Sequence, residues 1–136
     1  MKDKLIGAWR LKSWIAYDDK NNKLYPLGIN AQGIIIYTDD GSMSATIMNP
    51  DRMDHLSDGI SMDSIMMGKG AYFSYAGSYC VMDGKALHMV EISLIPEFIG
   101  TSQERFFEIE GDTLTIHSET PLSDGSIVKH ILVWHR

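Results

Sequence analysis

The sequence predicts an all-β protein, an antiparallel up-and-down barrel of about 8–10 strands, with a short helical lid segment near 50–73. Three observations predict it. Turn chemistry recurs at short, even intervals, in Asp18-Asp19-Lys20-Asn21-Asn22, Asp39-Asp40-Gly41, Asp83-Gly84, Gly111-Asp112 and Ser123-Asp124-Gly125. Asp and Gly tolerate the positive φ that tight hairpins demand. Between these turns lie β-rich runs of about 8–11 residues, the length of ordinary strands. Finally, the chain has 136 residues and no internal repeat or linker, so it is one domain, residues 1–136. A meander of that size leaves two exposed edges unless it closes on itself. A β-sandwich is the alternative architecture.

Taken in order, strands are expected near 7–18, 23–28, 31–38, 42–49, 76–82, 86–95, 101–110, 113–119 and 126–135. Period-2 alternation sorts their faces. In the first, Trp9, Leu11, Ser13, Ile15 and Tyr17 share one side, while Arg10, Lys12, Trp14 and Ala16 share the other. In the fourth, Met43, Ala45 and Ile47 oppose Ser42, Ser44 and Thr46. Near the end, Leu114 and Ile116 oppose Thr113, Thr115 and His117, and Leu132 and Trp134 oppose Lys129 and His135. The run Ile34-Ile35-Ile36 is apolar on both faces, so an external helix or a homodimer contact is expected to cover it. The lid departs from this rhythm. Asn49-Pro50 is good helix-start chemistry, Ser61 can cap a second helix, and Met62, Ile65, Met66, Tyr72 and Phe73 fall at roughly helical spacing.

Composition excludes several function classes. The net charge of −6 argues against a nucleic-acid binder or a protein held on anionic membranes, since both need a basic face. No apolar run approaches the roughly 20 residues of a membrane span. The start, MKDKLIGAWR, has no signal-peptide core, and a reduced cytoplasmic setting is expected. The single cysteine, Cys80, precludes an internal disulfide and any CxxC site. The five histidines, His55, His88, His117, His130 and His135, are not at metal-ligand spacing, and no metal site or cofactor is expected. There is no Gly-x-Ser-x-Gly, phosphate loop or dinucleotide fingerprint.

The candidate site residues are those whose chemistry conflicts with an apolar face. His88 shares its side of a strand with Val90, Ile92 and Leu94, so it is either a hydrogen-bonded core histidine or an acid/base group in a cavity. A β-bulge would let Glu91 turn inward beside it. Arg105 alternates with Gln103 and Phe107; if inward, it needs an anionic ligand or an internal Glu such as Glu91. A structural or surface role is expected for the other four histidines, with His117 and His135 facing solvent. Six of the nine methionines lie between residues 43 and 67, Met43 among them, which suits an adaptable cavity mouth. Tyr37, Tyr75 and Tyr79 supply aromatic walls with hydroxyl tips.

Gly7-Ala8-Trp9 opens the first strand and Trp134-His135-Arg136 closes the chain. This resembles the lipocalin pairing in which a terminal Arg lies over the Trp ring and closes one end of the barrel. With Tyr25-Pro26-Leu27-Gly28, the run from Gly33 to Ala45, Asn49-Pro50-Asp51-Arg52, Tyr75-Ala76-Gly77-Ser78-Tyr79, the run from His88 to Pro96, and Gly100-Thr101 to Arg105, the chain is similar to the bacterial and fungal lipocalin-like domain family. The resemblance implies a small calycin-type barrel, a structural role for Trp9 and Arg136, and small-molecule binding. Three readings stay open. One is a binding protein for a small hydrophobic or amphipathic molecule with a polar or anionic end, contacted by Tyr37, Met43, Tyr75, Tyr79, His88 and Arg105. Another is a cofactor-free isomerase or cyclase on a polyketide- or terpenoid-like substrate, using His88, Glu91 and Arg105. The third is a filled-core structural or interaction domain.

Overall fold

The computed structural model describes residues 2–51 and 72–136. A one-turn helix α1 (Lys2–Leu5) leads into β1 (Gly7–Tyr17), a two-residue β2 (Lys23–Leu24), β3 (Gln32–Tyr37), β4 (Ser42–Met48), β5 (Tyr72–Met82), β6 (Lys85–Ser93), a 3₁₀ turn (Pro96–Phe98), β7 (Ser102–Glu110), β8 (Thr113–Pro121) and β9 (Ile127–His135). Consecutive strands from β3 to β9 pair antiparallel; the two-residue connections of β5–β6 and β7–β8 permit no other arrangement. The Asp83-Gly84 turn has φ of 49° and 77°, the two positive values that match a tight hairpin to the strand twist. Strand β1 closes the ring. Its first half, Gly7–Arg10, pairs with β3, and its second half, Arg10–Tyr17, pairs with β9. The outcome is a closed eight-strand antiparallel barrel, with β2 a short appendage on β1. Eight strands leave an interior just wide enough for side chains or one small ligand.

The inward faces follow the alternation except at two bulges. Along β1 the partners jump from Leu11↔Trp134 to Ser13↔Val133, so Lys12 is an extra residue. Trp9 and Leu11 point inward before it, Trp14 and Ala16 after it. The expectation that Ser13, Ile15 and Tyr17 continue the Trp9 face is therefore corrected: one inserted residue exchanges every later side chain between the faces. Along β6 the partners jump from Gly77↔Val90 to Ala76↔Ile92, leaving Glu91 as the extra residue. His88 and Val90 are buried, while Ile92 is 71% exposed, so Ile92 does not share the His88 face. A third correction concerns Tyr72 and Phe73, which open β5 rather than extend a helix, and pair with Met48 and Ile47. The β4 pattern is as expected, with Met43, Ala45 and Ile47 buried. The remainder of the expected lid, residues 52–71, lies outside the described residues. On the outer face of β3, Ile36 is 41% exposed.

One end of the barrel is stoppered by the chain termini. Trp9 is fully buried, and its indole N–H donates to the Leu5 carbonyl at 2.9 Å. The Arg136 guanidinium lies 3.9 Å from the centre of the Trp9 ring. It also donates to the carbonyls of Ile6 at 2.8 Å and Lys4 at 2.9 Å, tying the last residue to the loop before β1. A planar cation with several donors suits this double duty. Arg136→Ala removes the stacking and both charge-assisted hydrogen bonds, and is expected to cost about 2–3 kcal/mol in urea unfolding. Arg136→Lys, which cannot stack and donate twice in one plane, should recover less than half of that loss.

Beside β7 the wall is incomplete. The β7–β8 ladder runs from Glu110↔Thr113 only as far as Phe106↔His117. Beyond it, Ser102–Arg105 stay with β6, and residues 118–121 stay with β9.

Candidate functional site

The inward faces of the strands surround a cavity with apolar walls, among them Ile35, Ile47, Phe73, Phe98, Ile116 and Leu132. Its open volume is about 50 Å³. A water needs at least about 10–15 Å³ on this measure, so the space holds a few waters, whereas pockets filled by drug-sized ligands run to about 300 Å³ and above.

Its polar groups come from two buried histidine relays. His88, on β6, is 1% exposed and sits between two tyrosines from neighbouring parts of the wall. Tyr37 Oη lies 2.8 Å from His88 Nε2, and Tyr75 Oη lies 2.7 Å from His88 Nδ1. Burial, and then the positive charge of Arg105, hold the His88 pKa well below its ordinary value of 6.5, so the ring is neutral. A neutral imidazole has one donor and one acceptor nitrogen. Burial likewise keeps the Tyr37 hydroxyl protonated, with its pKa well above 10.0. His88 is the one hydrogen-bond partner of that hydroxyl among the described residues. Tyr37 must therefore donate to Nε2, since the reverse would bury an unsatisfied O–H. The ring proton then sits on Nδ1 and is donated to Tyr75, whose own O–H has no acceptor among the described residues.

His130, on β9, forms the second relay. The indole N–H of Trp14 can only donate, and it does so to His130 Nδ1 at 3.0 Å. Burial, then Arg105, lower the His130 pKa to about 3, so this ring is neutral too. Its proton is on Nε2, 3.0 Å from Thr120 Oγ1, which accepts it. Thr120, like Tyr75, has an O–H with no acceptor among the described residues, and both residues line the cavity. Trp134 also lines it, and its buried indole N–H has no acceptor among the described residues.

Arg105, on β7, is half-buried and is the one charged side chain on the cavity lining among the described residues. Its guanidinium stands 5.9 Å from the Tyr75 ring and donates to the Glu104 carbonyl at 3.1 Å. No carboxylate among the described residues pairs with it; the neighbouring Glu104 is instead bound to Lys85 at 2.7 Å. Among the described residues the cavity thus presents donors and a positive charge, with no carboxylate on its lining.

The expected site residues divide by position. Tyr75, His88 and Arg105 come together on the lining. Tyr37 backs His88 from behind. Tyr79 packs edge-on to Tyr37 at 4.9 Å and donates to the Thr38 carbonyl at 2.7 Å, while Met43 is buried opposite Tyr37 in the β3–β4 register. Glu91 is exposed despite the bulge, so it joins neither His88 nor Arg105. His117 and His135 face solvent as expected, and His130 is buried on the cavity lining. The second relay, Trp14–His130–Thr120, was not foreseen. The alternation of Val128, His130, Leu132 and Trp134 carried a signal for His130, but the Lys12 bulge concealed Trp14.

The chain is thus a closed eight-strand antiparallel barrel around an apolar interior with polar donors on its wall. The chain belongs to the lipocalin-like domain family, whose profile matches residues 6–136. Among curated proteins it is similar to the 4'-hydroxy-3'-methoxypropiophenone carrier protein ppsC of Aspergillus oryzae (strain ATCC 42149 / RIB 40), at 29% identity over 106 residues, covering 69% of this chain and 96% of that protein. No solved structure matches.

Proposed function

We propose that the protein is a carrier that holds one small, mostly apolar molecule by an acceptor-bearing or anionic end and releases it unchanged. The observation that carries this reading is Arg105, a guanidinium on the wall of an apolar cavity with no carboxylate partner among the described residues. A half-buried cation of this kind gains from an anion or strong acceptor supplied by a ligand. The hydroxyls of Tyr75 and Thr120 and the indole N–H of Trp134, none with an acceptor among the described residues, favour the same chemistry. A buried N–H without an acceptor costs about 1–3 kcal/mol, which a ligand oxygen would recover. The cargo in the name of the similar Aspergillus protein, a hydroxy-methoxy propiophenone, joins an aromatic ring to a ketone and is of this kind. The isomerase reading is less well supported. Both nitrogens of His88 are engaged by tyrosines, and burial disfavours the charged ring that a proton-transfer step through it would form.

Fluorescence titration with two related probes tests this. One, 1-anilinonaphthalene-8-sulfonate, carries an anionic end; the other, N-phenyl-1-naphthylamine, lacks it. Arg105→Ala is expected to weaken the sulfonate probe by about 10- to 100-fold and the neutral probe by less than about threefold. Tyr75→Phe should cost 4'-hydroxy-3'-methoxypropiophenone about 5- to 10-fold, the worth of one neutral hydrogen bond. Equal losses for both probes would sink the role of Arg105. A ligand recovered with altered structure after incubation would replace the carrier with an enzyme.

A further inference from the structure

We infer that ligands enter this cavity through the side of the barrel, between β7 and β8, and that Arg105 is the latch of that entrance. The inference rests on the carrier reading and adds the route and the ligand's orientation. Its basis is the strand register. The β7–β8 ladder stops at Phe106↔His117, although both strands continue for four residues beyond it. Those residues do not pair with one another: Ser102–Arg105 keep only their β6 partners and residues 118–121 only their β9 partners. The wall therefore parts as a wedge.

Volumes on either side of the wedge agree. Outside it lies a groove of about 780 Å³, lined by residues of β7, β8 and β9. Inside lies the cavity of about 50 Å³. Arg105, Ser118 and His130 line both spaces, so they form the threshold between them. A ring-sized ligand exceeds the inner space as it stands, and displacement of the Arg105 side chain joins that space to the groove. The charges on the groove rim largely offset one another: Glu104 is bound to Lys85, and Glu119 faces Lys129 across the β8–β9 ladder. The Arg105 charge remains for the ligand. The ligand class that fits is an amphipathic molecule that enters apolar or aromatic end first. Its anionic or carbonyl end is held at the threshold, and any further polar extension lies in the groove.

The test closes the wedge reversibly. Glu104 and Glu119 would oppose one another if the ladder continued, and both are exposed. In a Cys80→Ser background, Glu104→Cys with Glu119→Cys is bridged by a short bis-methanethiosulfonate reagent, verified by mass, and released with dithiothreitol. Stopped-flow binding of 1-anilinonaphthalene-8-sulfonate is then followed. With the bridge in place, association and dissociation rates should both fall by at least about tenfold while Kd changes by less than about threefold, since a barrier alters rates and leaves the end states alone. Reduction should restore both rates. Should the double variant not fold, Arg105→Ala carries the test by itself: N-phenyl-1-naphthylamine should associate about fivefold faster once the latch is gone. Rates indifferent to the bridge, or a neutral-probe rate indifferent to Arg105→Ala, overturn the side entrance and leave the carrier standing. If the unmodified protein binds neither probe nor 4'-hydroxy-3'-methoxypropiophenone, the carrier reading fails and the entrance with it.

Discussion

Gly77→Ala is expected to destabilise the barrel by more than about 4 kcal/mol, the range in which a small domain loses most of its stability. An ideal Cβ at this position would lie 2.0 Å from the Met89 carbonyl oxygen and 3.0 Å from the Glu91 amide nitrogen. Both are backbone atoms on the neighbouring strand and cannot swing aside. Gly77 faces the bulge at which Glu91 is inserted into β6, and its bare Cα lets the two backbones approach there. Relief requires moving β6 away from β5. That movement would shift His88, two residues before Val90, out of reach of Tyr75. Urea unfolding with far-UV circular dichroism measures the effect. Gly84→Ala is the control, because a Cβ there meets nothing within 4 Å. It strains only a positive φ and should cost about 1 kcal/mol. If Gly77→Ala proves as mild as Gly84→Ala, the close apposition of β5 and β6 is refuted.

The second large effect is acid lability well above the carboxylate range. His88 and His130 are both buried and neutral, with folded pKa values below the ordinary 6.5, His130 at about 3. Burial is the main cause for each, and the Arg105 guanidinium adds to it. Among the described residues, the hydroxyls of Tyr37 and Tyr75 also face His88; Trp14 and Thr120 face His130. In the unfolded chain both imidazoles titrate normally. Below pH 6.5 the unfolded state therefore binds two more protons than the folded one, and stability falls with pH. Each group contributes about 1.4 kcal/mol per pH unit, so the pair costs about 3–4 kcal/mol between pH 6.5 and 5. Stability is complete above 6.5. The His130 contribution goes on falling until about pH 3, where the folded state also takes up a proton. Asp18 and Asp124, whose pKa values are lowered by their turn hydrogen bonds, act only below the 3.8 of an ordinary Asp and leave this window clear. Urea midpoints across pH 5–8 measure the slope. His130→Gln should halve it whatever it does to stability at pH 8. A flat profile from pH 6.5 to 5 would mean that both rings are already charged in the fold, and the neutral relays would be lost with it.

These relays also show how far the sequence reaches. Turn residues set nearly every hairpin, because Asp and Gly in short loops leave few other backbone paths. Met43-Ala45-Ile47 and Leu114-Ile116 declared their faces by simple alternation. His88 was conspicuous as an imidazole on an apolar face and Arg105 as a cation that needed a counter-charge, while the Trp9–Arg136 closure was implied by the resemblance to the lipocalin pairing. Each of these is a local signal, written within a few residues of one strand or at a chain terminus.

Partnership between distant strands was not local. Whether His88 meets Tyr37 and Tyr75, or Glu91, depended on a bulge that places Glu91 on the outside. Whether Trp14 reaches His130, 116 positions along the chain, depended on the extra residue Lys12. A single inserted residue reverses every later side chain of a strand, and nothing in composition marks where the insertion falls. The wedge beside Arg105 likewise depends on where the β7–β8 ladder stops relative to the β6–β7 and β8–β9 ladders, which no one strand encodes. The amino-acid sequence by itself thus determined the barrel, its turns and the residues able to do polar chemistry inside it. The tertiary structure alone decided which of them touch, because register is a property of pairs of strands.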